Sequence, residues 1–134
     1  MRLTPNGFGP RTKPRPVEHV NPVDELLATG QAVDLSREAA AHFPRGRVAI
    51  HQKTYDRYVA WSSEAMRKHG IALDERSRLE ALLSEAGVGA TTDCASQFWC
   101  RTCDAESDNS AETRHQFTLE TFEARGQKIW LIRH

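Results

Sequence analysis

The sequence lacks the long apolar segments that membrane and secreted proteins carry. No run approaches the roughly 20 apolar residues that a membrane-spanning helix needs. The beginning, MRLTPNGFGPRTKPRP, has basic residues but no apolar stretch of the kind found in secretory signals. Cysteine is also scarce, and its count of three is odd, which argues against a disulfide framework. We therefore expect reduced thiols, a cytoplasmic location and no membrane contact.

Recognisable catalytic motifs are missing as well. The chain has no G-x-x-x-x-G-K-[ST] or G-x-G-x-x-G loop that would hold a phosphate, and no H-E-x-x-H pair for zinc. It also lacks the H-x-E that precedes Cys-x-x-Cys in zinc deaminases. We therefore expect a non-enzymatic protein without a cofactor. One catalytic alternative stays open, in which Cys94 is a nucleophile for hydrolase or transferase chemistry, activated by a histidine and an aspartate that meet it in space.

Charge is balanced over the chain but unevenly placed. The formal net charge is zero, yet residues 1–20 carry +3 and residues 21–134 carry −3. Four prolines in residues 1–20 exclude a helix interior or a central strand there. The sequence thus predicts a flexible, basic, proline-rich arm over residues 1–20 and a single α+β domain over residues 21–134. A body of faintly acidic charge argues against a broad contact with duplex DNA.

Helix signals dominate the first two thirds of the domain. Four segments combine an N-cap residue with helix formers and a helix stop. They begin at Asn21, Ser36, Thr54 and Asp74 and end before Gly30, Pro44, Gly70 and Gly87, respectively. In the last segment, Leu79, Leu82 and Leu83 form an apolar stripe with helical spacing.

Strand signals dominate the last third. QFWCRTC, RHQFTLETFE and KIWLIRH alternate with period two and are separated by turn residues, which predicts an antiparallel meander. A turn centred near Asn109 would place Cys103 opposite His115 and Arg101 opposite Phe117. A turn centred near Gly126 would place Thr121 opposite Trp130 and Leu119 opposite Ile132.

The elements together predict an α+β fold, with N-terminal helices packed on a small C-terminal antiparallel β-meander. The last strand is apolar on both faces, which suggests a covered position beside a further strand, RVAIHQ. QAVDL reads as a short strand or extended link. The helices would pack on the sheet face shared by Phe117, Leu119, Trp130 and Ile132.

The stretch DCASQFWCRTCD holds all three cysteines and allows three interpretations. Cys94, Cys100 and Cys103 with His115 would make a Cys3His zinc site. However, residues three apart on a strand face opposite sides, so Cys100 and Cys103 would diverge. Redox chemistry would need a helix start after the Cys-x-x-Cys pair, whereas an acidic loop follows. We favour the third interpretation, in which the cysteines are small apolar side chains in and near a strand and no metal is bound.

Two charged segments are candidate partner-binding elements. In the arm, Arg11, Lys13 and Arg15 would contact phosphates or an acidic protein surface. In the loop after the cysteines, four carboxylates would contact a partner by imitating the spacing of phosphates. They belong to Asp104, Glu106, Asp108 and Glu112. For both segments the simpler alternative is a solvated surface.

Three stretches resemble a family of small uncharacterised proteins carried on plasmids and integrative elements. LLATGQAVDLSREAAAHFPRGRVAIHQKTYDRYV is similar to a pattern in which A-x-x-G-x-x-V-D leads into a helix and then a strand and helix. DERSRLEALLSEAG resembles the family's D-E-x-x-R-L-x-D-[VL]-L-x-x-A block, and HQFTLETFEARGQKIWLI resembles its closing hairpin. The resemblance implies no activity or site residues. It implies a setting on mobile DNA, often near genes that counter host defences.

These observations lead to two functional expectations. The first is a small non-enzymatic protein of a mobile element or phage that binds and inhibits a host protein or defence complex, such as a CRISPR or restriction system. It would act as a monomer or a homodimer. The alternative is a nucleic-acid-binding regulator that uses the basic arm, with the Cys3His zinc site as an optional part.

Overall fold

A computed structural model of the chain describes residues 21–91, 96–109 and 111–134. The predicted arm over residues 1–20 and Cys94 lie outside the described residues. The described residues form four helices and five strands. In chain order they are α1 (Pro22–Ala28), β1 (Ala32–Asp34), β2 (Arg47–His51), α2 (Gln52–Tyr58), α3 (Ser63–His69), α4 (Glu75–Thr91), β3 (Gln97–Thr102), β4 (Thr113–Ala124) and β5 (Gln127–Arg133). Among these helices, none has the length and apolar character needed to cross a membrane.

The five strands form one sheet in the order β1-β2-β5-β4-β3. All neighbours are antiparallel except β2 and β5, which run parallel. The α+β prediction is therefore confirmed, as is the expectation that RVAIHQ lies beside the last strand. The sheet is larger than the predicted meander, because β1 and β2 extend it beyond β5.

The two faces of the sheet are covered differently. The inner face carries Val48, Ile50, Phe117 and Ile132, which form the main core with α2, α4 and the 35–43 segment. The outer face is covered at one end, where α1 packs on a smaller cluster through its buried Val23. At the other end, on β3 and the adjoining half of β4, the outer-face side chains are exposed. They are Gln97, Trp99, Arg101, Arg114 and Gln116.

The predicted helix over SREAAAHF is wrong: residues 36–42 form consecutive turns. Ser36 does not cap a helix. Its hydroxyl accepts a hydrogen bond from the Val48 N–H (3.1 Å), and its own N–H donates to Asp34 Oδ1 (2.9 Å). The segment is thus tied to β2 at its start, because the Ser36 side chain bonds to the strand and is not available as a helix cap. Ala39 and Phe43 are still buried in the main core.

The long helix predicted from Thr54 to Gly70 is two helices, α2 and α3. Trp61 breaks it, because its ring is buried and its indole N–H donates to the carbonyl of Ile71 (3.0 Å). Ser62 caps the new helix by accepting from the Ala65 N–H (3.1 Å). Thr54 is not an N-cap. It lies buried within α2, and its hydroxyl accepts from the His134 N–H (3.1 Å).

The helix predicted from Asp74 starts as expected but runs past its predicted stop. Asp74 accepts from the Ser77 N–H (3.1 Å), which confirms the cap. Gly87 lies inside α4, not at its end. A Cβ at position 87 would lie 2.8 Å from the Cβ of His42. Gly87 therefore permits close packing of α4 against the 35–43 segment.

One of the two predicted hairpin registers is confirmed. Leu119 pairs with Ile132 and Thr121 with Trp130, as expected. The register of β3 with β4 is wrong by three residues: Cys100, not Cys103, lies opposite His115. The connection between β3 and β4 bends early, because Asp104 turns inward to meet Arg57. This shifts the centre of the hairpin towards β3.

Candidate functional site

The cysteines that the structure describes are buried. Cys100 on β3 is 3% exposed and Cys103 is 8% exposed, and neither forms a disulfide. Burial raises the pKa of the Cys100 thiol to about 11, and burial also raises the pKa of Cys103. Both thiols are therefore protonated near neutral pH, the state least suited to nucleophilic or metal-binding roles. Their surroundings fit small apolar side chains.

The predicted zinc ligands are only partly brought together. Cys100 and His115 are direct partners across β3 and β4. Cys103 instead packs with Trp61 and Ala65 in a separate cluster. Within residues 21–91, 96–109 and 111–134, no group of three or more His, Cys, Asp or Glu side chains is placed to hold a metal ion. Cys94 is not among these residues.

Every carboxylate of the predicted acidic loop has a basic partner in the same chain. The pairs are Arg57–Asp104, Arg57–Glu106 (3.8 Å), Lys68–Asp108 (3.6 Å) and Arg101–Glu112 (3.8 Å). The loop is thus held against α2, α3 and β3. Glu106, Asp108 and Glu112 remain exposed, whereas Asp104 is buried and is out of reach of a partner. Glu106 also lines an open hollow of about 520 Å³ beside α3.

Asp104 is the structural centre of this loop. Burial opposes its ionisation, but hydrogen bonds from the Arg57 guanidinium and from the Glu106 N–H (2.9 Å) outweigh burial. The pKa of Asp104 therefore lies below its usual value. The hydrogen bond from Arg57 in turn raises the pKa of that guanidinium. This ion pair fixes the loop to the end of α2.

A second polar group surrounds Tyr58 at the end of α2. Its ring contacts the rings of His115 (5.0 Å between centroids), Phe117 (5.0 Å) and His134 (4.8 Å). The Tyr58 hydroxyl lies 3.1 Å from Nε2 of His134. Burial raises the pKa of Tyr58 and lowers the pKa of His134. Tyr58 is only 1% exposed, so a substrate proton would not reach its hydroxyl, and the group acts as a packing core.

An exposed aromatic side chain on β3 pairs with a guanidinium group on β4. Trp99 is 46% exposed on the outer face, and the Arg114 guanidinium lies 4.6 Å from its ring centroid. Beside it, Gln116 donates to the side-chain carbonyl of Gln97 (2.8 Å). Exposed tryptophan and arginine are the residues most enriched at the energetic centres of interfaces. We call Gln97, Trp99, Arg101 and Arg114, together with the groove beside them, the β3 edge surface.

The groove lies beside β3. It has a volume of about 470 Å³, and its other wall is the last part of α4. The helix contributes Glu85, Val88 and Gly89 to this wall. The surface therefore offers an aromatic ring, two guanidinium groups and a partly apolar channel side by side.

Comparison with known proteins gives no match to a protein-family model, a curated protein or a solved structure.

The partner-binding residues predicted from the sequence are not those of the β3 edge surface. Arg11, Lys13 and Arg15 lie outside the described residues, and the acidic loop is paired within the chain. Trp99 lies inside the cysteine stretch, but the residues predicted as binding elements do not include it. A signal was present: Phe98, Trp99 and Cys100 put apolar side chains on both faces of one strand. Which face stays open depends on α1, which reaches only the far end of the sheet.

Proposed function

We propose that this chain is a small non-enzymatic protein of a mobile element or phage that binds and inhibits a host protein. The resemblance described above supports a defence complex, such as a CRISPR or restriction system, as the target. The observation that carries the proposal is the exposed Trp99–Arg114 pair on an open sheet edge. A surface of this kind suits stoichiometric recognition. The inward orientation of the described thiols and of Tyr58 supports a binding role over a catalytic one.

Capture from a bacterial lysate tests this proposal. The tagged chain should retain one host protein in near-stoichiometric amount, and nuclease treatment should not release it. Trp99→Ser should lose this protein. Met66→Ser is the matched control, since Met66 is similarly exposed (43%) but lies on α3. Turnover of a substrate by catalytic amounts of the chain would contradict the proposal, as would capture that survives in Trp99→Ser.

The second candidate is a nucleic-acid-binding regulator. Trp99 beside the cross-strand pair Arg101 and Arg114 on the exposed part of the outer face favours it, because bases stack on such aromatic and guanidinium groups. The basic residues Arg11 and Arg15 would add phosphate contacts. This function predicts binding that weakens steeply with salt and a capture that nuclease abolishes. Binding that is indifferent to salt would exclude it.

A further inference from the structure

The hydrogen-bonding pattern between β3 and β4 shows which backbone groups of β3 point away from β4. Leu119 N–H donates to the carbonyl of Ser96 (2.7 Å), so this pair is a hydrogen-bonded one. In an antiparallel ladder such pairs recur at every second residue. Phe98, Cys100 and Thr102 therefore bond to β4. The N–H and C=O groups of Trp99 and Arg101 point to the other side.

No strand of the described residues pairs with that other side, because β3 is the last strand in the sheet order. The edge is also neither short nor bulged: it is six residues long and in continuous register with β4. Such an edge is a template for another strand. A groove of about 470 Å³ lies beside it, and at one end of the strand Gly89 of α4 packs close to Phe98.

The two sides of the groove differ in chemistry. A strand added here would place alternate side chains towards α4, next to Val88 and Gly89. The Glu85 carboxylate lies on the same wall and disfavours acidic side chains there. Its other side chains would lie on the outer face, next to Arg101 and Trp99. Arg114 lies over the Trp99 ring and forms no ion pair with the described residues. The Arg101 guanidinium donates to the Glu112 carbonyl (3.3 Å) and lies 3.8 Å from the Glu112 carboxylate, at an exposed position. The outer side is therefore suited to acidic side chains, and the side near α4 to apolar ones.

We propose that β3 binds an extended peptide segment of the host protein as a sixth strand, with alternating apolar and acidic side chains. This inference rests on the proposed function and specifies how its partner is recognised. Main-chain hydrogen bonds from Trp99 and Arg101 supply affinity, and the two kinds of side-chain position supply specificity.

A second copy of the chain fits the edge less well. Antiparallel pairing of two β3 strands would bring the Arg101 side chains of both copies to one seam, with Arg114 of each copy on the strand behind it. Like charges at such a seam cost free energy. A single strand of nucleic acid would use the outer face but leave the outward N–H groups of β3 unbonded.

The test uses the full chain and a capped octapeptide of alternating valine and glutamate. Titration followed by backbone amide shifts should move the signals of Trp99 and Arg101 at millimolar peptide. The same peptide with lysine in place of glutamate should bind about fivefold to tenfold more weakly, because the guanidinium contacts become repulsive. Equal affinity for both peptides, or no shift at these amides, would overturn the proposal.

Backbone methylation separates strand addition from side-chain binding. Two versions of the peptide carry N-methyl groups on alternate residues, one on the odd set and one on the even set. A strand that pairs with one edge uses only one set of its N–H groups. One version should therefore lose binding by about tenfold or more, and the other should keep it. Loss in both, or in neither, would contradict strand addition.

A matched pair of variants tests the same bond from the protein side. Arg101→Ala removes the side chain, and Arg101→Pro also removes the outward N–H. Proline is tolerated on an edge where its nitrogen faces away from the ladder. Arg101→Pro should bind the valine–glutamate peptide about tenfold more weakly than Arg101→Ala. Equal binding would overturn the proposal. If Arg101→Pro does not fold, the N-methylated peptides still distinguish strand addition from side-chain binding.

The two alternative occupants give their own results. A dimer of the purified chain with slowly exchanging Trp99 and Arg101 amides would assign the edge to a second copy. Binding of oligothymidylate with no response to the peptide would assign the face to nucleic acid. Either result overturns the proposal. If Arg101→Pro still captures the host protein that the wild type captures, strand addition fails while the proposed function stands. If nothing is captured, the proposed function itself fails.

Discussion

Arg78 shows how a single side chain decides the local structure. It projects from α4 beneath the break between α2 and α3, and its guanidinium lies over the Trp61 ring at 4.8 Å. It donates hydrogen bonds to the carbonyls of Val59 (2.9 Å), Arg57 (3.2 Å) and Cys103 (3.1 Å). These carbonyls belong to the end of α2 and the start of the acidic loop. The Arg78 guanidinium thus joins α4 to the end of α2 and to the start of the acidic loop.

Substitution of Arg78 should therefore destabilise the fold. Arg78→Lys keeps the charge but leaves at least one buried carbonyl without its donor, and we expect a loss of about 2 kcal/mol. Arg76→Lys is the control, since Arg76 lies two residues before Arg78 on the same helix and is exposed. Urea unfolding measures both. Equal stability of the two variants would contradict the role given to Arg78.

Asp104 should contribute stability that depends on pH. Because its folded-state pKa is below the unfolded value, its contribution is complete above about pH 4 and is lost as the pH falls through the folded-state pKa. Asp104→Asn should therefore lower the free energy of unfolding by about 1 kcal/mol at pH 7, since Arg57 is partly exposed. On acidification this variant should lose less stability than the wild type does. Asp108→Asn, at a fully exposed position, is the control. Parallel stability curves for Asp104→Asn and the wild type would refute this.

Among the elements, the two hairpins show what sequence can determine. The β4–β5 register can be predicted because a turn centred near Gly126 joins the two strands directly. In the structure the connection is two residues, Arg125 and Gly126, with both φ angles positive (54° and 77°). Such a turn fixes the register by itself. The β3–β4 connection is long, and its geometry depends on a contact between Asp104 and Arg57, 47 residues apart in the chain. No local pattern encodes that contact.

The same turn allows a stabilising prediction. Arg125 has a φ of 54°, which costs energy for a side chain of this type, whereas asparagine tolerates it. Arg125→Asn should raise the free energy of unfolding by about 0.5 kcal/mol, and Arg125→Val should lower it by about 1 kcal/mol. Thermal unfolding of the two variants checks the order. The reverse order would show that the turn does not have this conformation in solution.

The predicted helix bounds were wrong where the burial of a side chain overrode the helix propensity of the sequence. Residues 54–70 have the composition of one helix, yet Trp61 enters the space between α3 and α4, and Ser62 then starts a new helix. In α4 the opposite occurs, because Gly87 has the character of a stop but serves close packing against His42. Both outcomes depend on tertiary contacts that residue preferences do not contain.

In the whole molecule, the surface that supports the proposed function arises because the outer face of the sheet is only partly covered by a helix. The α1 helix protects only one end of the outer face, and β3 closes the sheet order without a neighbour among the described residues. The fold class, strand order around β5 and inner-face residues could be predicted from period-two and helical patterns. The exposed Trp99–Arg114 pair could not, because alternation gives the faces of a strand but not what covers them.

Hydrogen exchange of the chain, free and bound to the captured host protein, links this surface to function. In the free chain the Trp99 and Arg101 amides should exchange fast, and Phe98 and Cys100 slowly. On binding, the Trp99 and Arg101 amides should become protected by about tenfold or more, because they gain partners. Protection confined to other residues, such as those of the acidic loop, would contradict recognition through the β3 edge surface.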